Sequence, residues 1–174
     1  MDEFGLATVT PARAQVVSDF AASELFDRTF HEGMELVEET ATYLDGAGRQ
    51  ESKLLSRAAA LAYASASMRL TTRLMQVASW LLVQRAVREG DMTPDEACQG
   101  RYRLNAKTRG DAAEVDLETL PGGLNGLAER AERLYERVAH LDRRMYIEAP
   151  GEVAPNPVLS QYEMLRTAFG EASA

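Results

Sequence analysis

The sequence predicts an all-α protein: an antiparallel three-helix bundle with a long central helix, a short extra helix in the second connection and a flexible C-terminal tail. Three observations carry this expectation. Apolar residues recur at steps of three and four over three long stretches, the spacing of one helix face. Gly- and Pro-bearing breakers separate those stretches. Aromatics are only 7% of the 174 residues, with twelve Gly and six Pro, which disfavours a protein of strands and turns. The length suits one domain, and 45% hydrophobic residues suffice for a core. The expected division is a flexible N-terminal lead over residues 1–17, the bundle over 18–147 and a mobile, Pro-containing tail over 148–174.

In the first long segment the apolar positions are Phe26, Phe30, Met34, Val37, Ala41 and Leu44. Ser18 or Asp19 is the candidate N-cap, and Gly46 with Gly48 ends the run. Glu24, Arg28, Glu32, Glu35 and Glu39 form a mostly acidic stripe beside it. That stripe is either a solvated face or a docking surface for a basic partner.

The second helix is expected from Ser52 to Glu89, stopped by Gly90, a length of roughly 57 Å at 1.5 Å per residue. Leu54, Ala58, Leu61, Ser65, Met68, Thr72, Met75, Ser79, Leu82 and Ala86 make an unbroken four-three repeat. Every seventh residue within it is small, from Ala58 through Ser65, Thr72 and Ser79 to Ala86. Leu70, Leu74, Val77 and Leu81 lie on nearly the opposite side. A helix apolar on two opposed faces is covered on both. Two helices can cover one side; the other needs the irregular segment that follows or a second subunit, and a homodimer through this helix is the favoured expectation. Between the faces runs a strip of Arg69, Arg73, Gln76 and Trp80. It is either the wet edge of a buried helix or a dimer or partner strip, since Arg and Trp are favoured anchors.

Thr93-Pro94-Asp95-Glu96 joins a Thr N-cap, Pro at N1 and Glu at N3, so a short helix to about Gly100 is expected. Arg101, Tyr102, Arg103, Lys107 and Arg109 then form a basic stretch, followed at once by Asp111, Glu114, Asp116 and Glu118. A polar loop is the default reading and a protein-docking loop the alternative. In the third helix, opened by Pro121-Gly122-Gly123, the repeat is Leu127, Ala131, Leu134, Val138, Leu141 and Met145. Pro150, Pro155 and Pro157 break any helix in the tail, yet Val158, Tyr162, Leu165 and Phe169 recur at four, three, four. So short a helix is marginal alone; it either packs back on the bundle or folds on a partner.

Charge and chemistry narrow the function. The net charge is −8, which disfavours a charge-driven nucleic-acid binder. Residues 1–51 hold 3 basic and 11 acidic side chains and so carry all of it. The single cysteine, Cys98, excludes an internal disulfide framework and fits a reducing cytoplasm. The longest nearly uncharged run, Ala58 to Met68, is about half of a membrane span, and Met1-Asp2-Glu3-Phe4 does not open like a secretory signal. His31-Glu32-Gly33-Met34-Glu35 has Glu where a zinc protease needs its second His. Neither His31 nor His140 lies three residues after a Glu, as a di-iron bundle requires. Gly122-Gly123-Leu124-Asn125-Gly126 lacks the Lys and Ser/Thr of a phosphate loop. No catalytic residue, metal ligand or cofactor site is expected.

The run Arg69-Leu70-Thr71-Thr72-Arg73-Leu74-Met75-Gln76, then Ala78-Ser79-Trp80-Leu81-Leu82-Val83-Gln84-Arg85-Ala86-Val87, resembles the signature of the RcdA (regulator of CtrA degradation) family of alphaproteobacteria. Leu134, Arg137-Val138, Leu141-Asp142-Arg143 and the Gly90…Met92-Thr93 turn are similar to the same pattern, and the resemblance covers roughly residues 19–147. It implies a dimeric three-helix bundle with a flexible C-terminal extension. It also implies a non-enzymatic adaptor for the ClpXP protease, delivering CtrA and other cell-cycle proteins alongside a CpdR-like adaptor. The first candidates for partner contact are Val158, Leu159, Tyr162, Leu165 and Phe169 in the tail, then the loop Arg101 to Arg109, then the Arg69/Arg73/Trp80 strip. The competing readings are a DNA-linked transcriptional regulator and a small-molecule-binding helical bundle. The first needs a recognition helix with clustered Arg, Lys and Asn; the second needs convergent polar groups inside the core.

Overall fold

The computed structural model describes residues 11–104 and 119–147. The fold is all-α, with six α-helices among these residues: α1 (Pro11–Ala21), α2 (Glu24–Asp45), α3 (Ala47–Ser52), α4 (Arg57–Glu89), α5 (Pro94–Ala97) and α6 (Gly122–Tyr146). A 3-10 turn, Gly100–Tyr102, follows α5. Three long helices, α2, α4 and α6, build the bundle.

Each boundary has a local cause. Ser23 caps α2 by accepting a hydrogen bond from the Phe26 backbone N–H. The first long helix therefore starts several residues later than Ser18 or Asp19 would have it. The segment expected as a lead to residue 17 is helical from Pro11, and Val17 and Ala21 of α1 are buried in the core. α4 begins at Arg57 rather than Ser52, because Ser56 caps it through the Ala59 N–H; the residues before it form the separate α3. Its 33 residues span about 50 Å. Gly90 closes it in a left-handed conformation at φ 83°, which favours glycine. At α5 the expected capping box is present: Thr93 accepts from the Glu96 N–H and Glu96 accepts from the Thr93 N–H.

The helix directions depart from an up-down-up bundle in which successive helices run antiparallel. α2 runs against both partners: Asp27 pairs with Arg88, while Glu32 and Glu39 pair with Arg137 and Arg130 at 2.6 and 2.7 Å. Along α4 and α6, however, Arg73 meets Glu132, Trp80 meets Asp142 and Gln84 meets Tyr146. Both numbers rise together, so α4 and α6 are parallel. The connection between them is long enough to carry the chain back along the whole bundle before α6 begins.

The α6 face is as expected, with Leu127, Ala131, Leu134, Val138 and Met145 buried and Leu141 half-buried. The α2 face is rotated. Its buried residues are Phe26, Thr29, Gly33, Leu36 and Thr40, while Phe30, Met34, Val37 and Leu44 are half-buried and Ala41 is exposed. Gly33 is the reason: a Cβ there would lie 2.7 Å from Leu81 Cδ1, so the missing side chain is what lets α4 come close.

Candidate docking surfaces

α4 presents its two apolar faces very differently. Leu70, Leu74, Val77 and Leu81 are buried against α2 and α6. On the other side Leu61, Met68, Met75 and Leu82 stand 68, 72, 65 and 52% exposed. The small residues Ala58, Ser65, Thr72 and Ser79 between them are exposed as well. Large side chains every seven residues, interleaved with small ones, make a ridge with recesses, uncovered by any described element. An exposed apolar ridge of this kind is a candidate interaction surface.

The Arg69, Arg73, Gln76 and Trp80 strip is divided by the fold. Trp80 is buried in its own chain, its indole packed on Phe20 and its N–H donating to Asp142 Oδ1 at 2.9 Å. Arg73 is buried too. Its guanidinium lies 4.0 Å over the Tyr135 ring, Nε donates to Glu132 at 3.3 Å, and one terminal N–H donates to Gln76 at 3.4 Å. Arg69 is exposed and Gln76 half-buried. These four residues therefore do not act as one outward strip; two are core.

The basic stretch is divided as well. Arg103 is an internal strut: Nε donates to Asp142 Oδ1 at 2.9 Å, a terminal N–H donates to Oδ2 at 2.5 Å, and the same guanidinium covers the Tyr146 ring. The backbone N–H of Leu104 also donates to Asp142, at 3.3 Å. Arg101 is exposed and lies over the ring of Tyr102. Lys107 and Arg109 lie outside the described residues, as do Val158, Leu159, Tyr162, Leu165 and Phe169.

Asp142 thus gathers the indole N–H, the Arg103 fork and a main-chain N–H around one carboxylate that is 4% exposed. Beside it Tyr146 accepts a hydrogen bond from Gln84 Nε2 at 2.8 Å, and its backbone carbonyl accepts from Arg13. Burial pushes the Tyr146 phenol up to about 12 and raises the half-buried Cys98 thiol. Sequence reasoning did not single out this cluster. One signal was available: Asp142 sits four residues after Val138 on the buried stripe of α6, where a lone carboxylate must find donors.

Between α4 and this strut lies a groove of about 430 Å³, lined by Thr72, Met75, Gln76, Ser79, Trp80, Val83 and Arg101 to Leu104. It brings one half of the strip and the described part of the basic stretch to a single place, on the flank of the exposed ridge. On the ridge's other flank a second crevice of about 340 Å³ runs between α2 and α4, from Val37, Thr40 and Leu44 to Leu74, Met75 and Ala78. Among the described residues, His31 pairs only with Glu35 at the surface, and no group of three His, Cys, Asp or Glu could hold a metal ion. No described helix is long and apolar enough to cross a membrane.

Residues 17–169 match a family model described as "Protein of unknown function (DUF1465)". Among solved structures, that of RcdA from Caulobacter crescentus CB15 is 67% identical to this chain. The match covers 76% of this chain and 99% of that one, with a TM-score of 0.62. No curated protein matches.

Proposed function

The chain belongs to the RcdA family, and from that premise we propose that it is a non-enzymatic adaptor that helps deliver cell-cycle regulators such as CtrA to the ClpXP protease. The observation that carries this reading is the 67% identity to RcdA over 99% of that chain. The exposed α4 ridge supports it, because an adaptor works through surfaces rather than a reaction centre. In this reading the protein is cytoplasmic and a homodimer through α4, and it acts with a CpdR-like adaptor on the protease. Tethering raises the local concentration of cargo at the unfoldase, so modest contacts suffice.

Three groups of partner contacts follow. The tail residues Val158, Leu159, Tyr162, Leu165 and Phe169 meet the protease or its cargo. Arg101 and Tyr102, with Lys107 and Arg109, face an acidic partner, Arg103 serving to hold that segment in place. Arg69, with Gln76, borders the α4 ridge. The test is a reconstituted degradation assay with purified ClpXP, ATP, CtrA and a CpdR-like adaptor. Dose-dependent, faster loss of CtrA in the presence of the full chain is expected. A chain ending at Ala149 should keep its helicity and its dimer but lose delivery. Equal stimulation by both chains would move the working surface to the bundle. No stimulation by the full chain would overturn the adaptor reading.

A further inference from the structure

We propose that the crevice between α2 and α4 docks a basic segment of a partner protein. That segment seats a large apolar side chain between Val37, Leu44, Leu74 and Met75 and sets its cations against Glu38 and Asp45. The adaptor reading assigns nothing to this crevice, and the proposal does not depend on it. It begins with which carboxylates of α2 the fold uses. Glu24, Asp27, Glu32, Glu35 and Glu39 meet Arg28, Arg88, Arg137, His31 and Arg130 respectively. Glu38 and Asp45 are exposed, and neither is in an ion pair with a described residue. Asp45 lines the crevice, and Glu38 stands two helical turns before it on the same stripe, beside Ala41. α2 has no basic residue in its last turn, so Asp45 adds its charge to the negative end of the helix. A cation from outside answers both the carboxylate and the dipole.

The walls supply the rest of the recognition. The crevice measures about 340 Å³ and is apolar at Val37, Leu44, Leu74 and Met75. Ala41 and Ala78, one from each helix, are too short to fill the space between them. An apolar recess with a few placed polar groups is what an anchor side chain needs. One polar group in the wall is left unsatisfied by the fold. Thr40 is 4% exposed, and its Oγ1 has no hydrogen-bond partner among the described residues. A threonine on a helix has two χ1 rotamers open to it, so this hydroxyl can turn toward a group entering the crevice. Residues 1–51 carry the whole net charge of −8, so the potential around α2 steers a basic segment toward it. On the opposite flank of the α4 ridge the exposed charge in the groove is Arg101. The two flanks therefore select partners of opposite sign.

Peptide selection on the full-length chain tests this. Short random peptides displayed on phage are selected on it, and the tightest is synthesised as a fluorescent probe. The selected peptides should be net basic, with Leu, Met or Phe as a recurrent anchor. The probe's affinity, read by anisotropy, should fall at least about tenfold in Glu38→Lys/Asp45→Lys and in Ala78→Trp, which fills the crevice. Thr40→Val should weaken the probe about fivefold while thermal stability stays equal or rises, a combination that a merely structural threonine does not give. Unchanged helicity by circular dichroism reports an intact fold, and the surface pair Glu38→Lys/Asp45→Lys decides the matter should Ala78→Trp misfold. Selection of only neutral or acidic peptides, or a basic probe indifferent to these variants, would overturn the proposal. So would loss of the dimer in Glu38→Lys/Asp45→Lys with no basic peptide selected, which assigns the crevice to a second copy.

Discussion

Asp142 shows how much one carboxylate can organise. It accepts from the Trp80 indole, from the Arg103 fork and from the Leu104 main chain, and so holds α4, α6 and the segment after α5 together. Asp142→Asn keeps the shape but leaves the Arg103 guanidinium, 20% exposed, without its counter-charge. Stability should fall by about 3 kcal/mol, since breaking a buried pair strands the other charge; urea unfolding at neutral pH measures it, and a change below about 1 kcal/mol would deny the carboxylate this role. Tyr146 gives a pH signature. Its phenol rises from 10 to about 12 on burial, so the folded state holds that proton more tightly than the unfolded chain. The associated stability is intact below about pH 10 and is lost as pH climbs toward about 12, worth about 3 kcal/mol over two units. Tyr43, also raised by burial and by its bond to Glu51, acts in the same direction. The diagnostic is therefore the difference between wild type and Tyr146→Phe. By circular dichroism the variant should be weaker by about 1 kcal/mol at pH 7, having lost the acceptor for Gln84, yet decline less steeply between pH 10 and 12.

α4 carries the surface on which the proposed homodimer depends. Its buried side is satisfied by α2 and α6, and its other side offers Leu61, Met68, Met75 and Leu82 to solvent. Met68→Glu combined with Met75→Glu places charge on that ridge without touching the core. The expected result is a monomer by sedimentation velocity with unchanged helicity; a persistent dimer would move the interface off α4. The local features of the helices were readable from sequence where one residue type does one job. The Thr93–Glu96 box and the α6 stripe of Leu127, Leu134 and Val138 are examples. On α2 the reading slipped by a residue, because Gly33, Thr29 and Thr40 do not register as apolar. Their burial follows from a close helix approach that depends on Leu81 of another element. The Arg73 and Trp80 strip misled for a related reason. Both types are good interface anchors, and only the position of α6, with Glu132, Tyr135 and Asp142, shows that they anchor the bundle itself.

In the whole molecule part of the acidity of the first third is answered across the bundle. Arg88, Arg130 and Arg137 reach Asp27, Glu39 and Glu32 on α2. These pairs are about half-exposed, so each contributes little individually; replacing Arg130 and Arg137 by Gln should lower stability by less than about 1 kcal/mol each in thermal unfolding. Their arrangement nevertheless records the helix directions, which periodicity cannot: a stripe at three and four has no arrow relative to its neighbour. The parallel pairing of α4 and α6 has a consequence in time as well as space. α2 and α4 are joined through α3 by a short link and can meet as a local hairpin, whereas α6 docks only after a loop of some thirty residues has closed. Closure entropy grows slowly with length, about 0.6 kcal/mol per doubling, but contacts distant in sequence slow folding. The α2–α4 hairpin should therefore form first, leaving Arg73, Trp80 and Gln84 momentarily without their α6 partners Glu132, Asp142 and Tyr146. Burial of the Trp80 indole, with its change in fluorescence, should then mark the last step of folding.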